Sequence, residues 1–233
     1  MKTTAPSRRW TWAGVLAAVC LVAGCGKSAP ASGTRPAETA EKAVRAFLQG
    51  MKNCDEYAML ACGKADDEDG DAICALAEFG RAAGKFRVAF LKAYGQEAWE
   101  RFNDRAHTPG ETNAHLQLLE HSVDEMMSGV DLRIQGPDVA TFTVPNETRR
   151  SRIVKVEEGW LVDVRSLLPK QMESAKFAEL MNYMADAVGA HQEAIGRPGI
   201  RPDDIDVELG RAIMERLLET EFGGPHRYDV DDL

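Results

Sequence analysis

Apolar residues recur along this chain with two periods, and the change from one to the other divides it. Ala40, Val44, Phe47 and Met51 fall at helical spacing, with Glu41, Lys42 and Arg45 between them. Such a stripe marks an amphipathic helix with one face turned to a core. It predicts a first helix over about 36–52, with Pro36 in the first turn, where its missing N–H is not needed. Asn53 followed three residues later by Glu56 has the form of a capping pair. A short helix is therefore expected to restart through Tyr57, Met59 and Leu60. Residues 63–71 read as an acidic loop. Helical spacing resumes over 72–103, through Ile73, Leu76, Phe79, Phe86, Phe90, Leu91 and Tyr94. Gly80, Gly84 and Gly95 predict a break or kink there. Beyond the Pro109-Gly110 loop, residues 111–128 carry Leu116, Leu118, Leu119, Val123, Met126 and Met127 as a further helix.

The period then becomes two. Val130, Leu132 and Ile134 alternate with polar residues, as do Ala140, Phe142 and Val144 after Gly136-Pro137. Val154 and Val156 follow, then Glu158-Gly159, then Trp160, Val162 and Val164. Alternation with turn residues between the runs predicts an antiparallel meander of three to four strands over about 130–164. Glu158-Gly159 reads as its two-residue hairpin turn, with glycine supplying a positive φ. One apolar face per strand implies a sheet covered by helices on one side. After Pro169 the helical stripe returns as Phe177, Leu180, Met181, Met184 and Val188, running to about 195. Gly196-Arg197-Pro198-Gly199 breaks it. Pro202-Asp203-Asp204 opens a last helix with acids at its positive end, and Leu209, Ile213, Leu217 and Leu218 face inward. The expected fold class is α+β: mostly helical, with the meander packed on helices and two helices after it. It is read as a single domain over 36–222 with a polar tail, 223–233.

The segment ahead of this domain has a different character. Residues 1–9 hold Lys2, Arg8 and Arg9 and no acid, and residues 10–23 carry no charge. A basic stretch followed by a short apolar one is the layout of an export signal. The apolar run is too short for an ordinary spanning helix of about 20 residues. Val22-Ala23-Gly24-Cys25 then resembles the lipobox of bacterial lipoproteins. That resemblance implies cleavage between Gly24 and Cys25 and acylation of Cys25, which would anchor the chain in a lipid bilayer. A plain secretory signal with an incidental cysteine is the alternative. Gly26, in place of an aspartate, favours the outer membrane by analogy with two-membrane bacteria. The expected location is the periplasmic or extracellular face. Residues 25–35 contain little that can be buried and read as a flexible tether.

Charge narrows the function. The net charge is −9, and removing residues 1–24 with Lys2, Arg8 and Arg9 makes it −12. An acidic chain repels nucleic acid, so no nucleic-acid partner is expected. Three cysteines lie beyond the anchor: Cys54, Cys62 and Cys74. On one helix Cys54 and Cys62 would lie about 12 Å apart, too far to bridge. Cys62 and Cys74 flank a loop, so a disulfide across a helical hairpin is open to them, as is burial as free thiols.

Two further resemblances concern the fold. Ala43-Val44-Arg45-Ala46-Phe47-Leu48, then Asp138-Val139-Ala140-Thr141-Phe142, then Glu158-Gly159-Trp160-Leu161-Val162-Asp163 are similar in form and order to nuclear-transport-factor-two-like α+β domains. These are cone-shaped and often hold a pocket. The likeness covers about 36–168. The run from Ala194-Ile195-Gly196 through Asp203-Asp204-Ile205 to Glu208-Leu209-Gly210 resembles a group of uncharacterised bacterial lipoproteins. Neither resemblance supplies catalytic residues.

Candidate chemistry is sparse. Asp66-Asp67-Glu68-Asp69-Gly70-Asp71 invites a calcium loop, but with Gly70 at position 6 the ends fall on Ala65 and Leu76, which cannot ligate. His115, His121, Asp124 and Glu125 are close in sequence, yet only His121 and Glu125 share a helical face, and zinc needs three or four ligands. No nucleophile elbow or phosphate-cradling loop is present. Asp131, Asp138 and Asp163 are the carboxylates on the strands, with Asp163 expected outside the core. Trp160 and Phe142 are the pocket or core candidates, and core filling is the usual role of such a tryptophan. The sequence thus points to a membrane-anchored, non-catalytic module that binds an envelope protein, with no cofactor and no metal. The alternatives are a small-molecule pocket and a hydrolase or isomerase.

Overall fold

A computed structural model describes residues 35–105, 121–145, 149–168 and 172–222. Their architecture is α+β: a five-stranded mixed sheet with helices before and after it. Helix α1 (Ala40–Asn53) buries the predicted stripe, including Ala40, Val44, Phe47 and Met51. It starts at Thr39, whose side chain accepts the Lys42 N–H at 3.2 Å, and not at Pro36. The residues before the cap are drawn into the sheet instead. Ala37 exchanges main-chain hydrogen bonds with Trp160 at 2.9 and 2.7 Å, and the Arg35 N–H donates to the Ala61 carbonyl. Residues 35–37 thus form a strap along the sheet edge.

Helix α1 ends at Cys54, which adopts φ 49° and donates its N–H to the carbonyls of Gly50 and Met51. That turn moves the next cap. Asp55, not Asn53, opens α2 (Glu56–Ala61) by accepting the Ala58 N–H at 3.0 Å. Gly63–Lys64 then forms β1. The expected acidic loop shrinks because its acids begin a helix. In α3 (Asp67–Tyr94), Asp66 caps the Asp69 N–H at 2.8 Å and Asp67, Glu68 and Asp69 fill the first turn, where the helix dipole favours negative charge. Gly80 and Gly84 are buried within an unbroken α3. The helix makes its most extensive contact with α6 (Ser174–Gln192). Only Gly95, at φ 82°, ends it. Helix α4 (Gln96–Arg105) follows. Of the helix expected over 111–128, residues up to 120 lie outside the described set, and α5 (Val123–Ser128) is its described part. The capping box of Ser122 and Glu125 starts it.

Strands β2 (Asp131–Ile134), β3 (Val139–Thr143), β4 (Ser151–Val156) and β5 (Gly159–Asp163) form the meander, each antiparallel to the next. The order is β1-β5-β4-β3-β2, with β1 parallel to β5. This adds a strand that two residues are too short to announce by alternation. The β4–β5 turn is Glu157-Glu158, since Val156 pairs with Gly159. Gly159 instead opens β5 at φ 147°, where a Cβ would lie 2.4 Å from the Ala37 oxygen. Glycine is needed there for the strap to approach.

Register places Ala140, Phe142, Ile153, Trp160 and Val162 on one face. All but Trp160 are buried, in one cluster with Val44 and Phe47 of α1 and the α3 and α6 stripes. The other face is not wholly polar: Val139, Val154 and Leu161 pair across it, and the last two are buried. A second core feature joins α3 to α4. Trp99, 1% exposed, stacks on Phe102 at 5.5 Å and meets Phe90 edge-on at 5.7 Å. The closing helices are α6 and α7 (Pro202–Phe222). The Tyr94 hydroxyl donates to the Ile200 carbonyl and accepts the Gly196 N–H, which pins the connection between them. Among the described residues no helix is long and apolar enough to cross a membrane.

Candidate functional site

Helix α1 buries one side and leaves a polar row on the other. At about 100° per residue, Lys42, Arg45, Gln49 and Lys52 fall within an arc of roughly 80°. The start of α5 stands opposite. Val123 and Met126 hold it to the core, and this leaves Ser122 and Asp124 exposed. Between them lies an open cleft of about 550 Å³, lined by Lys42, Arg45, Ala46, Gln49, Lys52, Ser122, Val123 and Asp124.

Each cation in the row has a partner. Lys42 pairs with Glu38 one turn earlier, and Arg45 with Asp124 across the cleft. Lys52 donates to the main-chain carbonyl of His121. The Glu125 carboxyl accepts from the Ser122 N–H and hydroxyl. Those bonds, with His121 and Lys52 nearby, hold it below the usual carboxylate range. The lining is rich in donors: two ammonium groups, a guanidinium, an amide and a hydroxyl. Such a set suits an oxyanion, since Arg and Lys are the strong partners of carboxylate and phosphate.

Comparison with known families, curated proteins and solved structures returns no match.

The residues singled out from sequence are dispersed. Gly24, Cys25 and His115 lie outside the described residues. His121 Nδ1 stands 3.9 Å from Glu125 Oε2 on the surface, and among the described residues no three potential ligands converge on a metal position. In the acidic segment, Asp66 caps α3 and buried Asp69 accepts the Ser174 hydroxyl at 2.5 Å. Asp131 accepts from Arg133 and Arg150, and these bonds hold its carboxyl below the usual range. Asp138 is exposed, and Asp163 is half-buried on the outer face, as alternation predicts.

Of the two alternatives open to Cys62 and Cys74, the disulfide is not formed: both are free thiols, Cys62 buried and Cys74 exposed. The hairpin that would bring them together exists, but the side chains diverge. Cys62 Sγ turns back on its own helix and donates to the carbonyls of Ala58 and Met59. Cys74 is exposed on α3, in the field of Glu56, Asp71 and Arg81.

Phe142 is buried at 3% exposure. Trp160 packs against the same core but stays half-buried at its rim, with Lys155 Nζ 6.0 Å from its ring centre. Between sheet and helices, Phe47, Ala140, Phe142, Ile153 and Val162 are buried in one cluster. The basic row was missed from sequence. Its signal is legible, since Lys42, Arg45, Gln49 and Lys52 share one helical face, but the apolar stripe marks only Lys42 and Arg45 of these as polar residues between its positions and does not single out Gln49 or Lys52.

Proposed function

We propose that this chain is an exported, membrane-tethered, non-catalytic interaction module, and that the cleft between α1 and α5 is its contact surface. The tether follows from the lipobox-like Val22-Ala23-Gly24-Cys25 and the Gly/Ser/Ala-rich stretch after it. The observation that carries the contact surface is the convergence of Lys42, Arg45, Gln49 and Lys52 with Ser122 and Asp124 on one open cleft. Among the described residues, Asp66 and Glu125 are committed to helix caps and Asp131 to an ion pair. The likenesses to nuclear-transport-factor-two-like domains and to bacterial lipoproteins belong to the same proposal.

The test is photo-crosslinking in intact cells from a reactive residue at position 49, with position 97 on α4 as the control. Both side chains are exposed. Adducts from position 49 and not from 97 support the cleft as the contact surface. Equal or absent adducts at both positions refute it.

A further inference from the structure

The charge of this chain is unevenly divided. Residues 26–53 hold Lys27, Arg35, Lys42, Arg45 and Lys52 against Glu38 and Glu41, a net of +3 within a chain of net −9. Three of those cations line the cleft. The point where the chain enters the fold is also fixed. The strap is pinned by two main-chain hydrogen bonds to Trp160 and one to Ala61, and α1 begins at Ala40, directly after it. With the anchor at Cys25, the ten residues 25–34 span at most about 35 Å. The basic row therefore starts within one turn of the place where a short leash enters.

We propose that this cleft is the face that the domain lays against the anionic headgroups of its own bilayer. Lys42, Arg45 and Lys52 take lipid phosphates in place of Glu38, Asp124 and the His121 carbonyl. The proposal rests on the tethered-module reading and names the partner of its cleft. The internal pairs are exchangeable because they are exposed: the side chains of Lys42 and Glu38 are 61% and 81% accessible, those of Arg45 and Asp124 45% and 83%. Ion pairs this wet are weak, whereas Arg binds a phosphate through two parallel hydrogen bonds. The leash keeps headgroups at high local concentration. The rest of the sequence, residues 54–233, is strongly acidic, so an anionic bilayer attracts the basic row and repels the remainder. Orientation follows from that asymmetry.

The acylated protein, purified from membranes, is reconstituted into vesicles of phosphatidylglycerol or of phosphatidylcholine, and its lysines are acetylated. Exposed Lys85 and Lys92 on α3 serve as internal references. On phosphatidylglycerol at low ionic strength, labelling of Lys42 and Lys52 is expected to fall about fivefold or more, the scale of one cation at a charged surface. It is expected to recover at high salt and to be unchanged on phosphatidylcholine. Arg45→Glu leaves both lysines to be read and removes the protection; Arg45→Gln, which adds no new charge, weakens it. Equal labelling on the two lipids overturns the proposal. So does protection that arises only when a soluble protein is added, which would assign the cleft to a protein partner. Failure of the tether reading is distinguished by mass: a purified chain without an acyl group refutes the anchor alone. Docking is then read by co-sedimentation, with phosphatidylglycerol vesicles carrying the protein down, or equal sedimentation on both lipids overturning it.

Discussion

Substituting Gly159 by alanine tests how the strap is held. The residue sits at φ 147°, and a Cβ there would lie 2.4 Å from the Ala37 oxygen and 3.1 Å from both the Ala37 carbonyl carbon and Pro36 Cβ. An alanine Cβ has no rotamer to escape by, and the closest contact is with the Ala37 backbone. The protein can respond in two ways. Keeping the strap in place holds alanine in a sparsely populated region, at roughly 1–3 kcal/mol, in addition to the steric overlap. Lifting the strap breaks the two hydrogen bonds between Ala37 and Trp160, at about 1 kcal/mol each. Lifting the strap removes the overlap but leaves alanine at the positive φ, so the two costs add and Gly159→Ala is expected to destabilise by about 3–5 kcal/mol. Urea unfolding of the full chain gives the total. Hydrogen exchange gives the location: the Ala37 and Trp160 amides should lose protection while the β3–β4 ladder keeps it. Gly136→Ala is the control, since a Cβ there meets nothing within 4 Å, and a change of less than about 0.5 kcal/mol is expected. A Gly159→Ala protein of unchanged stability, with Ala37 still protected, would show that the close approach is wrongly drawn.

Three further outcomes follow from the same structure. Trp99→Ala should cost about 3–5 kcal/mol, as for other fully buried aromatics, and Trp160→Ala at the rim no more than about half of that, both read by denaturant titration. Burial pushes the Cys62 thiol up to about 12, so iodoacetamide at about pH 8 should modify Cys74 well before Cys62, checked by peptide mass. Arg133 and Arg150 hold the Asp131 carboxyl below its usual value. A lowered carboxyl stabilises the fold above its unfolded pKa of about 3.9, and that contribution is lost as pH falls through the folded value. The drop in Tm below about pH 4 should therefore be shallower for Asp131→Asn than for the parent chain.

The helices and the meander were legible because each buries a stripe at its own period. Phe47, Phe142 and Val188 fall where 3.6- and 2-residue spacing put them. The misreadings share one cause, which is that short polar residues act through backbone geometry that periodicity does not carry. Asp55 displaced Asn53 as a cap because Cys54 turns left-handed. Composition reads the acids of 66–69 as a loop, although acids at a helix start are favoured by the dipole. Gly80 and Gly84 predict breaks, yet both lie buried within one continuous helix. The strap and β1 depend on contacts between residues distant in the chain, Ala37 with Trp160 and Gly63 with Val162. No local pattern announces such pairs. The cleft was half legible: the basic row lies within α1, while Ser122 and Asp124 come from an element packed beside it.

Whether a lipid anchor at Cys25 leashes this interaction domain is read from the intact mass of the protein recovered from cell membranes. A chain that begins at Cys25 and carries the added mass of diacylglyceryl and acyl groups is expected. A chain that keeps residues 1–24, or one cut elsewhere with an unmodified N-terminus, would contradict it.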